Sequence, residues 1–115
     1  MLRRSIAILA VVTAGCSKGP AADLPAIGEA RSLGAEWALV NEEAAKGQLT
    51  STYVRTMRQQ LREQLQATAS SLTQPDSRYA REIQALLAQP DDAPPEELRV
   101  HSDKLKQIEA DLESA

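Results

Sequence analysis

A chain of 115 residues has room for one domain, and with no Phe, one Trp and two Tyr its core has to be built mainly from aliphatic side chains. Sixteen acidic against 13 basic side chains leave a formal net charge of −3, the wrong sign for a nucleic-acid-binding surface. One cysteine excludes an internal disulfide, and one histidine leaves no His/Cys set for a metal.

The first 15 residues are organised differently from the rest. Arg3 and Arg4 precede an uncharged apolar run, IAILAVV over residues 6–12, and Thr13, Ala14 and Gly15 follow as small residues. The run falls well short of the roughly 20 apolar residues that cross a bilayer. It predicts a removable export signal over residues 1–15.

The signal ends in Thr13-Ala14-Gly15-Cys16. This stretch resembles the lipobox of bacterial membrane lipoproteins, with Thr13 where Leu is usual. The resemblance implies that the Cys16 sulfur carries a diacylglyceryl group, that the signal is cut before Cys16, and that the new amino terminus is acylated as well. More than one acyl chain is what stable anchoring requires, since a single chain binds a membrane only marginally. The alternative is a free thiol in a plain secreted protein, an exposed liability in an oxidising compartment. The resemblance places the protein in the cell envelope, and Ser17 after the Cys favours the outer membrane, facing the periplasm, over the inner one. That compartment excludes nucleic acid. Removing Arg3 and Arg4 with the signal takes the net charge from −3 to −5.

Residues 17–25, SKGPAADLP, are polar and contain Gly and Pro, and with Cys16 they predict a flexible tether over 16–25. From residue 26 on, Ala, Leu, Gln, Glu and Arg dominate and the alternation of β-branched residues typical of strands is absent, so the domain over 26–115 is expected to be all-α. Ala26, Ala30, Leu33, Trp37, Val40 and Ala44 recur at spacings of 3 and 4 and mark the buried stripe of a first helix over about 26–46. Gly47 after Lys46 is a stop signal, and Thr50, Ser51 and Thr52 offer caps for a second helix over about 51–72. So short a connection folds the two helices back as an antiparallel αα-hairpin. Pro75 ends the second helix, a third is expected over about 76–88, and Pro95 with Glu96 and Glu97 opens a fourth over about 95–113. The expected architecture is a small three- or four-helix bundle built on the long hairpin.

The chemistry-bearing residues are few. Arg55, Arg58 and Arg62 form a basic strip on the second helix, a candidate contact for lipid headgroups or for a partner's acidic surface. The ordinary expectation is that they pair with Glu29, Glu36, Glu42, Glu43 and Glu63 on a solvated face. His101 lies on the apolar stripe of the last helix and is expected to pack there. Trp37 is expected at the centre of the core. Glu42-Glu43, Asp91-Asp92 and Glu96-Glu97 are adjacent in sequence and splay apart on a helix, so they make poor carboxylate dyads. With no phosphate loop, nucleophile elbow or zinc-helix motif, the chain reads as non-enzymatic, with no cofactor and no metal. The expected role is a lipid-anchored structural or interaction module that meets an envelope protein or its own copy. The alternatives are a bundle that opens around an apolar ligand beside Ala26, Ala30, Ala44 and Ala69, and a periplasmic chaperone.

Overall fold

The computed structural model describes residues 19–115; the signal, Cys16, Ser17 and Lys18 lie outside the described residues. The chain folds as the expected all-α bundle of four helices: α1 (Pro20–Ala45), α2 (Ser51–Ser70), α3 (Arg78–Leu87) and α4 (Pro95–Glu113). None of them is long and apolar enough to cross a membrane.

Each boundary has a local cause. At the end of α1, Gly47 takes φ 72°, a conformation that L side chains resist. Its N–H donates to the Ala44 carbonyl at 3.0 Å and that of Gln48 to the Glu43 carbonyl at 3.0 Å, which closes the helix as a Schellman motif. Thr50 then caps α2, its hydroxyl accepting from the Tyr53 N–H at 3.1 Å, so the two helices turn back on one another as the spacing predicts. Ser77 caps α3 in the same way through the Ala80 N–H at 3.1 Å. Pro95 stands in the first turn of α4, where its missing N–H costs nothing.

α1 is the central element, packing against all three others, most extensively against α4; α3 closes the bundle against α2 and α4. α1 and α4 run antiparallel and are tied near both ends, by Arg31 Nε to Glu109 Oε1 at 2.9 Å and by the Arg99–Glu42 ion pair. Between these ties the helices approach closely at Gly34, where a Cβ would stand 3.1 Å from Leu86 Cδ2 and 3.5 Å from Ser102 Cβ. Ser102 uses the approach to donate to the Arg31 carbonyl at 2.8 Å. The core between the helices is aliphatic, with Ile27, Leu33, Leu61, Leu65, Ile83, Leu86, Leu98 and Leu105 buried around Trp37.

One boundary differs from the sequence expectation. The first helix begins at Pro20 rather than near residue 26, so most of the predicted tether is helical. Pro20 sits at the first helical position, and Pro25, inside the helix, lacks the N–H that would bond the Ala21 carbonyl. Both Pro25 and Ala21 are exposed, so that carbonyl is left on the solvent side of the helix. What holds the turn is Asp23, on the opposite side. Its buried carboxylate accepts from the Thr73 N–H at 3.0 and 3.1 Å, the Thr73 hydroxyl at 3.1 Å and the Tyr79 hydroxyl at 2.5 Å.

Candidate functional site

The basic strip of α2 divides in two. Arg62 is a structural clamp, directed at the connection between α3 and α4. Its Nη1 donates to the Leu87 carbonyl at 2.6 Å and its Nη2 to the Gln89 carbonyl at 2.8 Å, capping the end of α3 with a cation where the helix dipole is negative. The same fork holds Asp91 Oδ1, from Nη2 at 2.9 Å and Nε at 3.2 Å. Its guanidinium carbon lies 4.9 Å from the centre of the Trp37 ring, within reach of a cation–π contact.

The same connection is gripped from α1. Trp37 Nε1 donates to the Asp91 carbonyl at 3.0 Å, and the Asn41 amide donates to the carbonyls of Asp91 at 3.0 Å and Ala93 at 2.8 Å. Asn41 Oδ1 in turn accepts from Arg58 Nε at 2.9 Å. Trp37 therefore holds the expected central place in the core, and it also positions a loop.

Arg55 and Arg58 depart from the expectation of ion pairing. Among the described residues, neither has a carboxylate within ion-pair distance, because the acids proposed for them are placed elsewhere. Glu42 pairs with Arg99 and Lys46, and Glu43 with Lys46. Arg99 beside Glu42 holds its carboxyl below the usual range. Glu63 accepts from Gln59 at 3.3 Å, and Glu29 and Glu36 are exposed on α1.

Both guanidiniums border a surface hollow of about 400 Å³ that Ala44, Leu49, Val54, Ser51 and Asp91 complete. A second hollow, about 360 Å³, continues it past Arg55 along Gln59, Arg62, Glu63 and Gln66. A third, about 280 Å³, continues it past Arg58 and Ala44 to Asn41, Asp92 and Pro95. Shared lining residues join the three into one open trough along α2.

His101 packs at the α3–α4 interface, as its place on the stripe suggests, but with partners that the sequence did not point to. Its Nδ1 lies 2.5 Å from Glu82 Oε2 and its Nε2 3.3 Å from Gln89 Nε2. Among the described residues, no group of three His, Cys, Asp or Glu side chains gathers to hold a metal. Of the alanines considered for an opening core, Ala30 is buried, Ala26 is half-buried, and Ala44 and Ala69 line surface hollows.

Asn41, which the sequence reading passed over, and Asp91, which it weighed only as half of a poor carboxylate dyad, complete the node. An amide four residues after Trp37 on the same helix face was the available signal, since a buried amide has to find partners. Fold and node together define a small four-helix protein with an arginine-lined surface trough. No protein-family model, no curated protein and no solved structure matches the chain.

Proposed function

We propose that this chain is a lipid-anchored protein of the cell envelope that works as a non-enzymatic interaction module, held through Cys16 and presenting its helical domain to a protein partner. The carrying observation is the distance from the anchor to the fold. With α1 beginning at Pro20, only Ser17, Lys18 and Gly19 separate Cys16 from a helix that runs without interruption to Ala45. Even fully extended, this connection spans about 14 Å. One end of the bundle is thereby kept close to the lipid, and a bundle standing on that end holds the other away from it.

Arg55 and Arg58 stand toward that far end, and the trough runs from them back along α2. Asn41 stands 21 residues beyond Pro20, about 32 Å along α1 at 1.5 Å per residue, and Arg58 bonds it there. The separation favours a partner in the aqueous space over the headgroups of the anchoring membrane. Ser17 after the acylated Cys favours the outer membrane, facing the periplasm.

The test is labelling with a palmitate analogue in cells, on the wild type and on Cys16→Ala, followed by photocrosslinking in the intact envelope. Label that vanishes in the variant, together with a crosslinked protein partner, supports the reading. An unlabelled soluble wild type removes the anchor, and an envelope that yields neither a partner nor a homodimer removes the interaction role.

A further inference from the structure

We infer that the trough along α2 binds an acidic, extended peptide segment, with Arg55 and Arg58 receiving its carboxylates. The inference rests on the interaction-module reading and names the kind of partner that reading requires. Three observations carry it.

The first is charge left unmatched in an acidic protein. The chain has more acidic than basic side chains, yet among the described residues the two guanidiniums meet no carboxylate, and the acids within reach on α1 are committed to Arg99 and Lys46. The trough's own carboxylates leave both guanidiniums unpaired: Asp91 is held by Arg62, Glu63 in the second hollow accepts from Gln59, and Asp92 lines the third hollow with Arg58 without forming an ion pair. An incoming carboxylate would restore the balance, and a guanidinium offers it two parallel donors. The Arg58 fork is already aimed: its Nε is fixed by Asn41, an amide only 4% exposed, which leaves the two terminal nitrogens for a ligand.

The second is shape. The hollows join end to end and stay open to solvent, which suits a chain laid along the helix better than a small molecule that needs to be enclosed. The third is the mixture of surfaces. Ala44, Leu49 and Val54 form an apolar wall beside Arg55 and Arg58, so a segment that alternates acidic and apolar side chains in an extended conformation would direct one set to the guanidiniums and the other to the wall. The first turn of α2, which contributes Ser51, carries no acidic residue to oppose the ligand's charge.

The probe is acetyl-(Leu-Glu)4-amide, titrated into the uniformly 15N-labelled full chain in a non-ionic detergent and followed by amide chemical shifts. Its Gln counterpart, inorganic phosphate and dihexanoyl phosphatidylglycerol serve as comparison ligands. The expected result is saturable binding of the Glu peptide, with shifts concentrated on residues 41, 44, 54, 55 and 58 and little response to the Gln peptide. Arg55→Ala and Arg58→Gln should each weaken it about five- to tenfold, and salt near 1 M, where the screening length is about 3 Å, should largely abolish it. Among the described residues the Arg55 side chain has no hydrogen bond or ion pair, so Arg55→Ala keeps the test decisive even if Arg58→Gln disturbs Asn41.

Equal binding of the Gln peptide, binding unchanged in Arg55→Ala, or no binding at all overturns the inference. So does a stronger response at the same residues to phosphate or to the phosphatidylglycerol, which would make the trough an anion or headgroup site. A partner recovered by crosslinking while the peptide fails would leave the module reading standing without this site.

Discussion

Asp23 is the one almost fully buried charged side chain among the described residues, 2% exposed, and the turn that joins the anchor to the bundle depends on it. Burial pushes its carboxyl toward the neutral form, but the bonds from Tyr79 and Thr73, with a further one from the Gln74 backbone, outweigh that and hold it below its ordinary 3.8. Burial also pushes the Tyr79 hydroxyl up, and the Asp23 carboxylate adds to the effect. The signs follow by linkage. A carboxyl lowered by folding binds fewer protons in the native state, so its contribution is present above pH 3.8 and is lost as pH falls through the native value. A phenol raised by folding contributes below pH 10 and loses its contribution as pH rises beyond that. Asp23→Asn should therefore lower stability by about 2 kcal/mol at neutral pH, because it presents an amide N–H to donors that need an acceptor. Urea unfolding at several pH values checks this: below pH 4 the wild type should lose stability more steeply than the variant, and parallel pH profiles would exclude the assigned role. Sequence reading placed Asp23 in a tether because its partners lie 50 and 56 residues away, and no local spacing reports such a meeting.

At the scale of elements, what was legible is what local chemistry decides. Gly47, Thr50 and Pro95 set the helix boundaries at which they stand, and the 3-4 stripe through Leu33 and Trp37 picked out the buried face of α1. The start of α1 was not legible, since Pro25 reads as a breaker until its solvent-facing position is known. The fate of the arginines was hidden for another reason. α2 was expected to trade charges with its hairpin neighbour, but Arg62 reaches the α3–α4 connection, and α4 takes Glu42 through Arg99. A backbone carbonyl leaves no signature in a sequence. This division makes a prediction about how the connection is held. Arg62→Lys keeps the charge but loses the fork that serves the Leu87 and Gln89 carbonyls, and should cost about 1–2 kcal/mol. Asp91→Ala removes only an ion pair whose acid is 66% exposed and should cost under about 1 kcal/mol, because the loop is gripped through the Asp91 backbone. Urea midpoints of the two variants give the comparison, and a larger loss in Asp91→Ala would mean that the carboxylate, not the carbonyls, holds the connection.

For the molecule as a whole, the lipid-anchored reading and the geometry of α1 together set an orientation. α1 spans about 39 Å at 1.5 Å per residue, with Gly19 and the α2–α3 turn at its start and the α1–α2 turn at its end. Thr73 Oγ1 lies 3.4 Å from the Gly19 carbonyl, so the turn that carries exposed Gln74 shares the anchored end. Exposed Gln48 marks the far one. A connection of three residues keeps Gln74 close to the lipid, while a bundle standing on its anchored end carries Gln48 several Debye lengths from the surface, beyond most of its electrostatic pull at physiological salt. A fluorophore placed at Gln74→Cys in the acylated protein on vesicles should therefore be quenched by nitroxide-labelled lipid, and one at Gln48→Cys should not. Lengthening the connection with a Gly/Ser insert after Lys18 should relax the difference, because the bundle can then turn over. Equal quenching at both positions without an insert would mean that the bundle lies along the membrane, with the arginine trough within reach of the headgroups, and the choice of an acidic peptide over a lipid as its ligand would have to be reversed.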